Sequence, residues 1–259
     1  MTAERSAHAQ VDTNAHGVVT LTITDARSMN ILSSAVIADL TAALERLRNR
    51  ADMRVLVIRG SGDKAFVGGA DINEMAGLTP ESARRFISGL AGLCDAVRRI
   101  PVPVIARLSG WCLGGGLEFA CCCDIRIGSP DSHYGMPEVH VGIPSVIHAA
   151  LLPRLIGESR AAWLLLTGET IDAGTAHQWG LVQELCEAGR LDEAVALRAM
   201  QLARLGPAAL AQQKQLLRAW ERLDLDASIA MSIEAFGRSY ETDEPQRYMA
   251  AFRNRKRSP

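Results

Sequence analysis

The chain has 259 residues, 48% of them hydrophobic, 22% charged and 5% aromatic, with a formal net charge of −1. That balance excludes a disordered or fibrous chain and suits one large globular core, or one core with an appendage. A charge so near zero gives no electrostatic footprint for nucleic acid, and no run approaches the ~18 consecutive apolar residues of a membrane span.

Residues 1–15 are polar and aperiodic, lack a charged-then-apolar leader, and read as a disordered lead-in. Residues 18–24, VVTLTIT, alternate as a strand. Ser33 or Ser34 can cap an amphipathic helix over residues 35–48, where Ile37, Leu40, Leu44 and Leu47 fall at helical spacing. Residues 53–60, MRVLVIRG, form a strand apolar enough to be buried on both faces. A polar loop with Gly68-Gly69 follows, then a helix over residues 80–99 and a strand flanked by Pro101 and Pro103. Beyond the glycine run at 114–116 the pattern predicts a short helix to about Cys122, a strand at 125–129 and a turn-rich stretch. Helical signals then dominate at 149–156, 159–167 and 173–179, a short apolar edge at 181–185 adds a strand, and residues past Leu191 hold three or four amphipathic helices. The alternation predicts an α/β fold with parallel pairing and a helical last third, the boundary falling near 190–205.

Three glycine-rich loops stand where strands end: residues 66–72, 113–118 and 135–144. Ligand sites of parallel sheets collect at such loops. The first two offer bare N–H groups at Ala70 and Gly115, and two such donors aimed at one oxygen stabilise a developing oxyanion by roughly 3–4 kcal/mol each. The second and third offer Glu118 and Glu138, a pair able to divide acid and base work when their environments separate their pKa values. On a helix starting at Gly115 or Gly116, Glu118 shares a face with the Gly115 N–H. Asp71 reads as a cap of the segment that follows.

Other chemistries lack their signatures. The chain has no G-x-S-x-G elbow, no G-x-x-x-x-G-K-[ST] loop and no H-E-x-x-H pair. Its six cysteines, Cys94, Cys112, Cys121, Cys122, Cys123 and Cys186, include no C-x-x-C pair with nearby histidines. They are expected to be reduced, buried thiols of a cytoplasmic protein with no bound metal, and His140 and His148 to be structural or pocket-lining.

The segments KAFVGGADINEM, GWCLGGGLEFACCCDIRIGS, YGMPEVHVGI, LLLTGETIDAGTAHQWGLVQEL and the C-terminal MAAF-x-x-R together resemble the enoyl-CoA hydratase/isomerase (crotonase) superfamily, in order and over roughly residues 15–257. The resemblance implies a spiral of ββα turns followed by a helical trimerisation region, here divided as a lead-in (1–15), a spiral core (16–195) and C-terminal helices (196–259). It implies trimers pairing into hexamers, and an acyl-CoA thioester as substrate, with no cofactor beyond the coenzyme A that the substrate carries. By motif position, Ala70 and Gly115 would supply the oxyanion hole, Glu118 the base and Glu138 the acid of a hydratase. Ser28, Met29, Gly68, Ala70, Asp71, Ile72 and Gly115 fall where the family contacts substrate, and Phe252 and Arg255 where an aromatic and a basic residue reach coenzyme A. The leading expectation is hydration of a 2-enoyl-CoA. A 3,2-enoyl-CoA isomerase needs only one base and is the alternative, and a non-catalytic CoA- or RNA-binding scaffold is least favoured by the near-neutral charge. Three departures stand out: Asn73 replaces a common lysine, Ser145-Val-Ile-His148 replaces a glycine-rich run after the second glutamate, and Trp111 and Cys112 replace commoner residues, with core packing expected of both.

Overall fold

The computed structural model describes residues 3–255, and the side chains of residues 4–254. Strands β1 (Ala3–Arg5), β2 (Ala9–Thr13) and β3 (Val18–Ile23) form an antiparallel meander, so most of the expected lead-in is ordered sheet. Only Ala9 and Val11 of β2 turn inward, too few apolar positions to reveal a strand in the sequence. Ser33 caps α1 (Ser34–Arg48), its side chain accepting from the Val36 N–H.

Three turns of one pattern follow. The first is β4 (Val55–Arg59), β5 (Ala65–Val67), a one-turn α2 (Ile72–Met75) and α3 (Pro80–Arg98). The second is β6 (Val104–Leu108), β7 (Trp111–Leu113) and α4 (Gly115–Cys121). The third is β8 (Ile125–Gly128), β9 (His133–Gly135), two 3-10 turns (Pro137–Val141 and Ile147–Leu151), α5 (Leu152–Ile156) and α6 (Glu158–Thr167). Then come β10 (Thr170–Asp172), α7 (Ala173–Gln178) and β11 (Glu184–Leu185), and four helices: α8 (Leu191–Ala203), α9 (Pro207–Trp220), α10 (Leu225–Ser239) and α11 (Glu244–Arg255).

In each turn the first strand joins a seven-stranded sheet, β1-β2-β3-β4-β6-β8-β11, and the second joins a four-stranded sheet, β10-β9-β7-β5. From β3 to β11 the large sheet is parallel, with Val57 opposite Ile105 and Ile105 opposite Ile125. This is the ββα spiral of the crotonase fold. Side chains alternate across β4: Leu56 and Ile58 join the main core with α1 and α3, while Val55 and Val57 face Leu191, Val195 and Ala199 of α8. Helix α8 therefore covers the second face of the large sheet, and a domain boundary at 195/196 would cut a helix that belongs to the core. No helix among the described residues is long and apolar enough to cross a membrane.

The C-terminal helices are fastened to the spiral by charge. Lys214 of α9 is buried, and its Nζ donates to Asp124 Oδ2 at 2.6 Å and to the Val102 carbonyl at 2.9 Å, while Arg218 reaches Asp124 Oδ1 at 2.9 Å. Burial pulls the Lys214 ammonium down in pKa and the Asp124 carboxylate pulls it back. Removing one partner leaves a buried charge without its counterpart, so Asp124→Ala is expected to cost about 3 kcal/mol, read from the urea midpoint.

Candidate active site

The loops after β5, β7 and β9 open on one side of the small sheet and surround a pocket of about 210 Å³. Gly68, Ala70, Ile72, Gly115, Glu118 and Glu138 all line it, together with an apolar wall that includes Phe86 and Leu90 of α3 and Val141, Ile143 and Val146. Six of the residues singled out from sequence thus come together from three separate loops.

Ala70 sits opposite Leu32 in an isolated parallel bridge, where Leu32 donates to the Gly69 carbonyl at 2.9 Å and accepts from the Asp71 N–H at 3.0 Å. In that pattern the N–H of Ala70 itself points away from Leu32. Gly115 opens α4, and a first-turn N–H has no intrahelical acceptor. Among the described residues neither N–H meets an acceptor.

Gly114 makes the turn into α4 at φ 52°, ψ −126°, a conformation that L side chains rarely adopt. Its N–H donates to the Gly135 carbonyl at 2.9 Å, and a Cβ there would lie 2.6 Å from Glu138 Oε1. Glycine at this position therefore lets the second carboxylate approach the turn that carries the first.

Glu118 is only 3% exposed. Its Oε1 accepts from the Ala149 N–H at 2.8 Å. Burial is the main cause that pushes its pKa from 4.5 to about 8; the Ala149 N–H opposes the rise, the Glu138 charge adds to it and His148 opposes it. Glu138 is half-buried in the first 3-10 turn. Burial raises its pKa as well, against its own backbone N–H and the Ser145 hydroxyl, which donates to Oε2 at 2.9 Å. Two carboxyls in one largely apolar pocket, one of them holding its proton at neutral pH, can give and take a proton within a single turnover.

The remaining residues sit at the edge or outside. The Met29 carbonyl accepts from the Gly68 N–H at 2.7 Å, which ties the Ser28-Met29 turn to the pocket loop, although neither residue lines the pocket. Asp71 turns away: its side chain accepts from Arg27 at 2.7 and 3.2 Å and caps α2 through the Asn73 N–H at 3.0 Å. Ile72 is 60% exposed at the rim. Phe252 lies on α11 and is not among the residues that line the pocket, and the side chain of Arg255 lies outside the described residues. Cys112 is buried as expected, but Trp111 is exposed and stacks on His133, with centroids 4.7 Å apart. Its position on β7 points outward because Cys112 takes the inward place.

Sequence reasoning missed two partners. Ala149 was legible only as the start of a helix, and nothing local marks its N–H as the ligand of a carboxylate 31 residues away. Ser145 stood out only as a departure from a glycine-rich run; its place seven residues after Glu138 was the available signal.

The enoyl-CoA hydratase/isomerase family matches residues 13–259, and the chain belongs to that family. It is similar to a short-chain-enoyl-CoA hydratase of Clostridium acetobutylicum, 32% identical over 239 residues that make up 91% of this chain and 90% of the relative. It is equally similar to a crotonyl-CoA hydratase of Syntrophomonas wolfei, 32% identical over 233 residues and 90% of each chain. A crystal structure of an enoyl-CoA hydratase from Bacillus anthracis superposes with a TM-score of 0.92 at 32% identity, covering 97% of this chain and 98% of that one.

Proposed function

We propose that the protein is an enoyl-CoA hydratase, catalysing reversible syn addition of water to a 2-enoyl-CoA to give a 3-hydroxyacyl-CoA. The observation that carries this reading is the meeting of Glu118 and Glu138 in one pocket lined also by Ala70 and Gly115. The thioester oxygen accepts from the Ala70 and Gly115 N–H groups, which stabilise the charge that develops there as the double bond is attacked. A water held between the carboxyls loses a proton to Glu118 as its oxygen bonds C3, and Glu138 delivers a proton to C2. Exchange with solvent then resets the pair.

In these roles Glu118 must be ionised before attack, yet burial makes it the more reluctant of the two to ionise. Because Glu138 must at the same time hold the proton it delivers, the kcat/KM for hydration, which reports ionisations of the free enzyme, is expected to follow a bell bounded by the two carboxyl ionisations, its alkaline limb falling near pH 8. Purified protein is incubated with crotonyl-CoA and longer or branched enoyl-CoAs across pH 6–9, following loss of the enoyl absorbance. No hydration of any of them sinks the assignment. A kcat/KM with no alkaline limb would show that no carboxyl has to hold a proton, and would remove the acid role. Product that incorporates no solvent oxygen points instead to 3,2-isomerisation.

The Ser28-Met29 turn, the backbone of the 68–72 loop, Phe252 and Arg255 are assigned to coenzyme A, which supplies the only cofactor-like group needed. The chain is further assigned to a homotrimer or a dimer of trimers. Supporting this, Leu225, Ile229, Ile233 and Phe236 recur at helical spacing along α10 and stand exposed, as does Leu217 of α9, an apolar stripe that suits a partner subunit. A cytoplasmic location fits six cysteines that are all free thiols.

A further inference from the structure

Outside the residues that line the pocket, three donors suited to a soft metal meet from three separate segments. Cys94 on α3, Cys122 at the C-terminal cap of α4 and His148 in the second 3-10 turn place their ligand atoms all within 4.8 Å of one another. A tetrahedral zinc at about 2.3 Å from sulfur and about 2.0 Å from nitrogen sets ligand-to-ligand edges of roughly 3.5–3.8 Å. Ligand atoms now up to 4.8 Å apart must draw together by about 1 Å to close onto a metal.

Two further observations point to a ligand. The Nδ1 atom of His148 is buried without a hydrogen-bond partner among the described residues. Such an orphaned polar atom is costly unless something meets it. The other ring nitrogen, Nε2, lies 3.2 Å from Asp95 Oδ1. A carboxylate on one imidazole nitrogen, with the second nitrogen left for a metal, is the arrangement that orients metal-bound histidines. Charge fits as well. On binding, the two thiols release two protons to solvent, and two thiolates neutralise a divalent ion in a buried place.

We propose that Cys94, Cys122 and His148 form a zinc site, with Asp95 orienting the histidine. The spacing in sequence hides it, because the ligands belong to three elements joined only by the fold. The next residue after His148 is Ala149, whose N–H holds Glu118, so zinc tethers the turn that positions this carboxylate. The site stands on the cluster itself and does not depend on the hydratase reading.

The test uses the full chain, reduced and stripped of metal, titrated with Zn²⁺ against a chromogenic chelator and with Co²⁺ by absorption spectroscopy. One zinc per chain is expected, and the cobalt form should show thiolate-to-metal charge transfer. His148→Asn should weaken zinc binding at least about 10-fold, Asp95→Asn by about 10-fold, and Cys94→Ala with Cys122→Ala should abolish the charge-transfer band. Cys112→Ala, buried outside the cluster, should bind as the parent does. His148 lies on a half-buried surface turn, so its variant keeps the test open where the buried cysteine variants fail to fold. Failure to bind zinc stoichiometrically, a cobalt spectrum without thiolate bands, or undiminished affinity in His148→Asn overturns the proposal.

Discussion

Glu118→Gln is expected to slow hydration of crotonyl-CoA by at least about 100-fold, the low end for losing a general acid–base group, and at the same time to stabilise the fold. The sign follows from the raised pKa. Below about pH 4.5 folded and unfolded chains both carry the Glu118 proton, and its burial is penalised least. Between 4.5 and about 8 the unfolded chain releases that proton while the folded chain keeps it. Folded stability then declines with rising pH by about 1.4 kcal/mol per unit. Glutamine removes the titration while keeping an oxygen for the Ala149 N–H. The variant's advantage over the parent should therefore grow between pH 5 and pH 8, to on the order of 3 kcal/mol by the same linkage. Urea midpoints at both pH values measure it. Equal midpoints at pH 8 would show that Glu118 is already ionised in the folded chain, and near-parent turnover would remove it from the mechanism.

Gly116→Ala tests the other half of the site. A Cβ at Gly116 would meet the Val67 carbonyl and lie 2.7 Å from both Val67 Cβ and Val67 Cγ1. Backbone and a β-branched side chain cannot swing aside, so α4 must back away from β5. Overpacking of this kind costs about 1–3 kcal/mol. The same displacement separates the loop carrying Gly115 from the loop carrying Ala70, and a shift near 1 Å can cost on the order of 100-fold in rate. Turnover should fall at least about tenfold, with an earlier urea midpoint. Gly92→Ala in α3, where a Cβ meets nothing within 4 Å, is the control and should leave turnover unchanged. A Gly116→Ala enzyme with parent kinetics would show that the two loops need not abut.

The central strands of the large sheet were legible because they are apolar runs: residues 53–60 and the Pro-flanked segment are buried along most of their length, whereas β1 and β2 at its edge were read as a disordered lead-in. The small sheet was not. Strands β5, β7, β9 and β10 have three residues each, too short for alternation to register, and their partners lie 20 or more residues away. Helix periodicity found α1 and α3 to within a residue or two. It gave no sign that Lys214, a charged residue on an amphipathic helix, would be buried against Asp124. The site was legible to the extent that it lies in glycine loops whose residue types are unusual. Glu118 and Glu138 stood out, while Ser145 and the Ala149 N–H act through geometry that only the third turn of the spiral creates.

The small sheet also governs how the site can fluctuate. Its strands pair Val67 with Cys112, Cys112 with Tyr134 and Leu113 with Gly135, so the three loops begin from adjoining rungs of one ladder. Freeing any one loop at its root means breaking rungs that hold the others, and amide exchange at Cys112 and Tyr134 should approach the rate of global unfolding. By contrast, Val139, Val141, Ile143 and Val146 stand exposed on the segment between β9 and α5. That segment is rooted in the ladder only at Gly135, beyond which no strand pairing among the described residues holds it until α5. Because Glu138 and the Ala149 N–H that holds Glu118 lie on this same segment, a change in the apolar wall is transmitted to both carboxylates.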